Sequence, residues 1–234
     1  MFVLGCYFCT LKKSIRKGNN ISFDKKHKFE MQTLMENTAI IEQSLNKAID
    51  YNTYFDQIKQ FSELQKTSGL EQSQSSIEFT ALNFKRMKRL NKTISINDNA
   101  KQFLENFKKE QTWLVITEAW CGDSAQVTPV LNKLAELCPA IDLKFVYRDE
   151  NPELMDAFLT NGGRAIPKLI ALSLENDVLF TWGARPSVAT QMVVDFKEKH
   201  GSLTPEFKEE LQSWYNKDKG QNITDDLVTL LNKI

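Results

Sequence analysis

The chain's strongest candidate nucleophiles are its four cysteines, Cys6, Cys9, Cys121 and Cys138. Cys121 has the most informative surroundings. It lies in Trp120-Cys121-Gly122-Asp123-Ser124, between the apolar run Trp113-Leu114-Val115-Ile116 and a helical pattern that continues to about Leu137. A cysteine just before the first turn of a helix faces unpaired backbone N–H groups and the positive end of the helix dipole, and both favour the thiolate. Lowering a thiol pKa from ~8.5 to ~7 raises the thiolate share at neutral pH from about 3% to about half. Asp123 opposes this, because a carboxylate within one turn disfavours a second negative charge, and Lys168 or Arg164 is expected to offset it. Glu118, three residues before the cysteine, is a candidate proton relay whose plainer alternative is a solvated strand end. Ser124 can donate a hydrogen bond that supports the thiolate.

Other chemistries find less support. Cys138 stands 17 residues beyond Cys121 along a helix, roughly 25 Å at ~1.5 Å per residue, too far for a disulfide; it reads as a small buried hydrophobe. Cys6-Tyr7-Phe8-Cys9 supplies at most two of four zinc ligands, and neither His27 nor His200 completes them, so no metal site is assigned. The sequence has no phosphate-binding glycine loop, serine elbow or paired-histidine motif, and hydrolase, kinase and metalloenzyme functions are left without support. No cofactor is expected. Thirty basic and thirty acidic residues balance, so nothing in the whole-chain charge recruits nucleic acid or an anionic membrane. The one dense basic cluster, Lys85, Arg86, Lys88, Arg89 and Lys92, reads as the solvated face of a helix. The uncharged start Met1 to Leu11 falls short of the ~20 apolar residues that span a bilayer, and its basic residues follow rather than precede it; a cytoplasmic location is expected.

These residues need elements to position them. Nine glycines and six prolines are about half the ~12% of average usage, which favours helix over strand. Ile41, Leu45, Ala48, Tyr51, Phe55, Ile58 and Phe61 recur at helical spacing and predict one long helix over 40–64; Thr67-Ser68-Gly69 breaks it, and Ile77 to Leu90 form a second. Residues 31–92 thus form a helical hairpin that must cover its apolar face on the following domain or on a second copy. The pattern over 93–200 gives the order α-β-α-β-α-β-β-α, and 201–234 add helices that pack on that domain. Residues 1–30 read as a disordered tail, and Met31 or Met35 offers an alternative translation start.

Strand, Trp120-Cys121-Gly122-Asp123-Ser124 and helix together resemble the active-site element of the thioredoxin superfamily. Gly163-Arg164-Ala165-Ile166-Pro167 resembles the family's cis-proline segment, and Trp182-Gly183-Ala184 the end of its last strand. The resemblance covers about 94–200 and is greatest to bacterial members with a Trp-Cys-Gly-Asp-Cys motif and extra terminal helices. It implies an α/β thioredoxin-like fold, a central mixed sheet of about four strands flanked by helices. It also implies that Pro167 is cis, that the Ile166–Pro167 edge pairs with an extended substrate, and that Trp120, Gly122 and Asp123 help line the groove, with Trp120 an exposed platform. Ser124 departs from the pattern, since it stands where the family's resolving cysteine would be. The implied activity is then monothiol exchange through Cys121, resembling monothiol glutaredoxins and bacilliredoxins, with a client protein disulfide or a low-molecular-weight thiol as partner. A redox-silent binding module is the alternative, and the oligomeric state stays open.

Overall fold

Trp113, Leu114, Val115 and Ile116 are fully buried, as a strand covered on both faces must be. They belong to β1 (Gln111–Thr117), an inner strand of a four-stranded sheet of order β2-β1-β3-β4 in a computed structural model that describes residues 37–234. β2 (Ile141–Tyr147) runs parallel to β1, with Val115 opposite Phe145. β3 (Lys168–Leu172) is antiparallel to β1, and β4 (Val178–Gly183) returns beside it as a hairpin. Helices α4 (Asp98–Asn106), α5 (Gly122–Leu137), α6 (Pro152–Ala157) and α7 (Ser187–His200) complete the α-β-α-β-α-β-β-α order. Asn97 caps α4 as its type suggests, its side chain accepting the Ala100 N–H at 2.9 Å. The expectations for residues 1–30, Cys6 and Cys9 among them, lie outside the described residues. No helix among those described is long and apolar enough to cross a membrane.

The single helix expected over 40–64 is in fact two, α1 (residues 37–45) and α2 (Tyr51–Glu63). Asp50 ends the connection by capping α2, its Oδ1 accepting the Thr53 N–H at 2.7 Å. Just before it, Ile49 exchanges two backbone hydrogen bonds with Phe145, at 3.0 and 2.8 Å. This bridge covers part of the β2 edge, which a sheet must protect against pairing with other chains.

The hairpin of α2 and α3 (Gln74–Thr93) lies against this sheet within the same chain. The Tyr54 ring stacks on Phe145 with centroids 4.7 Å apart, and its hydroxyl shares a 2.9 Å hydrogen bond with Thr117 Oγ1. Ile58 and Met87 are fully buried in the same cluster as Trp113 and Leu134. At the other end, α8 (Pro205–Asp218) and α9 (Gln221–Leu231) add Phe207, Leu211, Ile223 and Leu227 to that cluster.

α9 also completes α7. Pro186, the residue before α7, offers no side-chain acceptor, and the first amides of the helix are met from elsewhere. Asp226 Oδ2 accepts the Ser187 N–H at 2.8 Å and Trp182 Nε1–H at 3.1 Å, while Asn222 Oδ1 accepts the Val188 N–H at 2.9 Å. Replacing Asp226 with Ala orphans a helix-start amide and the Trp182 N–H together. Urea unfolding should show a loss of about 2 kcal/mol; an unchanged midpoint would show that this cap contributes nothing.

Candidate active site

Cys121 is the N-cap of α5, with φ −78° and ψ 117°. Its Sγ accepts the Ser124 N–H at 3.5 Å and donates to the Ile166 carbonyl at 3.4 Å. The thiol therefore lies between a helix start and the segment before Pro167, with 9% of the residue exposed. Burial, and secondarily the Asp123 charge, push the thiol up to about 11, while the hydroxyl and N–H of Ser124 and the Asp123 N–H pull the other way. The lowered pKa expected from the helix start is thereby reversed. At neutral pH the sulfur is held as the neutral thiol. Ser124 is fully buried and its Oγ has no partner in hydrogen-bonding geometry, so its hydroxyl is free to turn toward a negative sulfur.

The counter-charges are not those expected. Arg164 is held by Asp156 through two hydrogen bonds, the Nε–H contact at 2.7 Å, and Lys168 Nζ donates to Thr160 Oγ1 at 3.3 Å. The Asp123 carboxylate is answered instead by Arg185, at 2.7 Å from Oδ2, and by the Tyr215 hydroxyl, which donates to Oδ1 at 3.1 Å. Burial raises the Asp123 pKa, and Arg185, Tyr215 and Arg86 oppose that rise. Asp123 thus points into a buried polar network and not onto an open groove surface. Gly122 lies beneath two flanking helices: a Cβ there would be 3.4 Å from Gln212 Nε2 on α8 and 3.5 Å from Arg86 Nη1 on α3.

Glu118 is fully buried, which corrects the solvated strand end. Its Oε2 accepts the Ser68 hydroxyl and its Oε1 the Asp149 N–H at 2.9 Å, and burial raises its pKa. Both oxygens therefore hold fixed partners. Trp120 is half-buried and not an exposed platform, because the Arg148 guanidinium lies 4.9 Å from its ring centroid. The Ile166–Pro167 peptide is cis, and both residues are buried. Gly183 approaches so closely that a Cβ would lie 2.2 Å from the Pro167 carbonyl oxygen, at a φ of +117° that only glycine adopts readily. Cys138 is fully buried at the end of α5, as expected.

The sequence missed Arg185, Tyr215, Gln212 and Arg86. Arg185 had a signal, since it directly follows Trp182-Gly183-Ala184. Arg86 and Arg89 also revise the solvated basic face: Arg86 is half-buried beside Gly122 and donates to Asn83 at 2.9 Å, while Arg89 reaches Asn216 on α8.

A mixed sheet of this order, a cysteine capping the helix after β1 and a cis Ile166–Pro167 peptide whose carbonyl faces its sulfur define a thioredoxin-like protein. The profile of the family described as Thioredoxin matches residues 69–202, more than half of the sequence, and the chain belongs to that family. Among solved structures, it is similar to a protein of unknown function from Pseudomonas aeruginosa at 17% identity, covering 79% of this chain and 98% of that one with a TM-score of 0.50. At this identity the likeness is one of fold. An HIV epitope scaffold is also 17% identical over 80% of this chain and 99% of its own, with a TM-score of 0.48. No curated protein matches the chain.

Iodoacetamide alkylation of Cys121 across pH, read by mass spectrometry, should show a midpoint well above the ordinary thiol range. Asp123→Asn removes a like charge and leaves Arg185 unopposed, so its midpoint should fall by about one pH unit. A midpoint that stays or rises would contradict the role given to this carboxylate.

Proposed function

We propose that the chain carries out monothiol thiol–disulfide exchange through Cys121, as a relative of bacterial thioredoxin-family proteins whose second active-site cysteine is replaced by Ser124. One observation carries this proposal: Sγ caps α5 while it faces the Ile166 carbonyl beside cis-Pro167. Cys121 first gives up its proton to solvent, and the thiolate then attacks a mixed disulfide between a client protein and a small thiol. The client's S–S bond breaks, the client sulfur leaves and takes up a proton, and the small thiol is now bonded to Cys121. Ser124 offers no second sulfur, so an external low-molecular-weight thiol attacks next; it departs as a small-molecule disulfide and restores the Cys121 thiol. Ser124 supports the thiolate, and Trp120, Ile166 and Pro167 flank the attacking sulfur.

The burial of Cys121, with its pKa near 11, favours a second reading in which the domain is a redox-silent module that binds a protein partner. Glutathione disulfide separates the two when offered to protein whose other cysteines are replaced by Ala. Acid quenching and intact mass should show one glutathionyl group on Cys121 and none on Cys121→Ser. No adduct between pH 7 and 9 would leave the binding module standing.

Ser124→Cys supplies a second sulfur one helical turn from Cys121. Thiol titration after mild oxidation should show both thiols lost to an internal disulfide, and the glutathionyl adduct should no longer accumulate. Retention of both thiols would show that position 124 cannot reach Sγ.

A further inference from the structure

Ala119 lies between the end of β1 and the N-cap cysteine, where neither strand nor helix satisfies its backbone. Two side chains from the preceding helical hairpin do so. Ser68, in the α2–α3 connection, accepts the Ala119 N–H at 2.8 Å while its own hydroxyl donates to Glu118. Asn83, fully buried on α3, donates from Nδ2 to the Ala119 carbonyl at 2.9 Å, and its Oδ1 accepts from Arg86. The connection that carries Ser68 is itself braced: Thr67 Oγ1 bonds to Thr80 Oγ1 at 2.6 Å, and the Gln72 amide holds the Thr67 and Gly69 carbonyls at 3.0 Å. One further bond, from the Cys121 N–H to the Glu118 carbonyl at 3.2 Å, closes residues 118–121 into a turn. A hold on Ala119 is therefore a hold on the cysteine.

We infer that Ser68 and Asn83 are positioning residues for Cys121: gripping both polar groups of the Ala119 peptide, they fix the direction in which Sγ leaves the helix cap and keep it between the Ser124 N–H and the Ile166 carbonyl. The physical basis is that a buried peptide group left unpaired moves until it finds water or another partner. Loss of either grip lets residues 118–121 turn outward, and the sulfur leaves the crevice that keeps it neutral. The inference rests on Cys121 as the reacting atom of the proposed exchange. Alkylation reads Sγ itself, so a protein without exchange activity would still test it.

The test compares full-length protein with Ser68→Ala, Asn83→Leu and Ser68→Thr. Asn83→Leu keeps the size of the side chain, adds no charge and removes the donor to Ala119. Leu231→Ala, a core truncation on α9, serves as a control for general loosening. Thermal unfolding first establishes the range in which each variant is folded, and iodoacetamide alkylation of Cys121 is followed across pH within it. Ser68→Ala and Asn83→Leu should each lower the midpoint by about one pH unit, with Ser68→Thr, which keeps the hydroxyl, at the wild-type value and Leu231→Ala unmoved. Wild-type midpoints in both folded variants, or a shift no larger than that of Leu231→Ala, would overturn the inference.

Discussion

The contact between Cys121 Sγ and the Ile166 carbonyl joins the start of α5 to the segment before β3, and the arrangement of the site follows from it. Holding sulfur against a carbonyl requires its proton, and enclosing it there removes the water that would stabilise its charge. A helix N-terminus contributes about 0.3–1 kcal/mol toward a nearby anion. Burial more than cancels this, and the thiol is pushed up to about 11 even with the Ser124 and Asp123 N–H groups pulling the other way. Desolvation wins, and the resting sulfur is a neutral donor.

The same logic places the terminal helices. Asp123 brings a charge into the same dry region, and a buried carboxylate is tolerated only with partners. Arg185 comes from the loop after β4, Tyr215 from α8 and, at longer range, Arg86 from α3. Three separate parts of the chain thus converge on one carboxylate. Removing one member of such a set exposes the full cost of burying the others, and the helices outside the central α-β pattern are in this sense part of the site.

Local chemistry made much of this legible. The continuous apolar run from Trp113 to Ile116 gave β1, Asn97 and Ser95 were both of capping type and Asn97 is the one that starts α4, and the segment around Pro167 gave the cis peptide through its family likeness. The break between α1 and α2 was hidden because the apolar spacing from Leu45 to Tyr51 continues across a turn; the capping type of Asp50 was its only local sign. The direction of the Cys121 pKa could not be read, because burial is set by residues such as Ile166 that lie far away in sequence. Arg86 and Tyr215 were illegible for a related reason. Each sits on a helix whose other residues explain its spacing, and only packing shows which flank faces Gly122 or Asp123.

The cap that α9 lends to α7 bears on the order of events during synthesis. The first turn of α7 follows Pro186, yet its amides are satisfied by Asn222 and Asp226, more than thirty residues downstream. While the ribosome is still adding those residues, the first amides of α7 and the Trp182 N–H have only water as acceptor. The strand itself is held by its ladder with β3, whereas the first turn of α7 gains its cap only once α9 has emerged and docked.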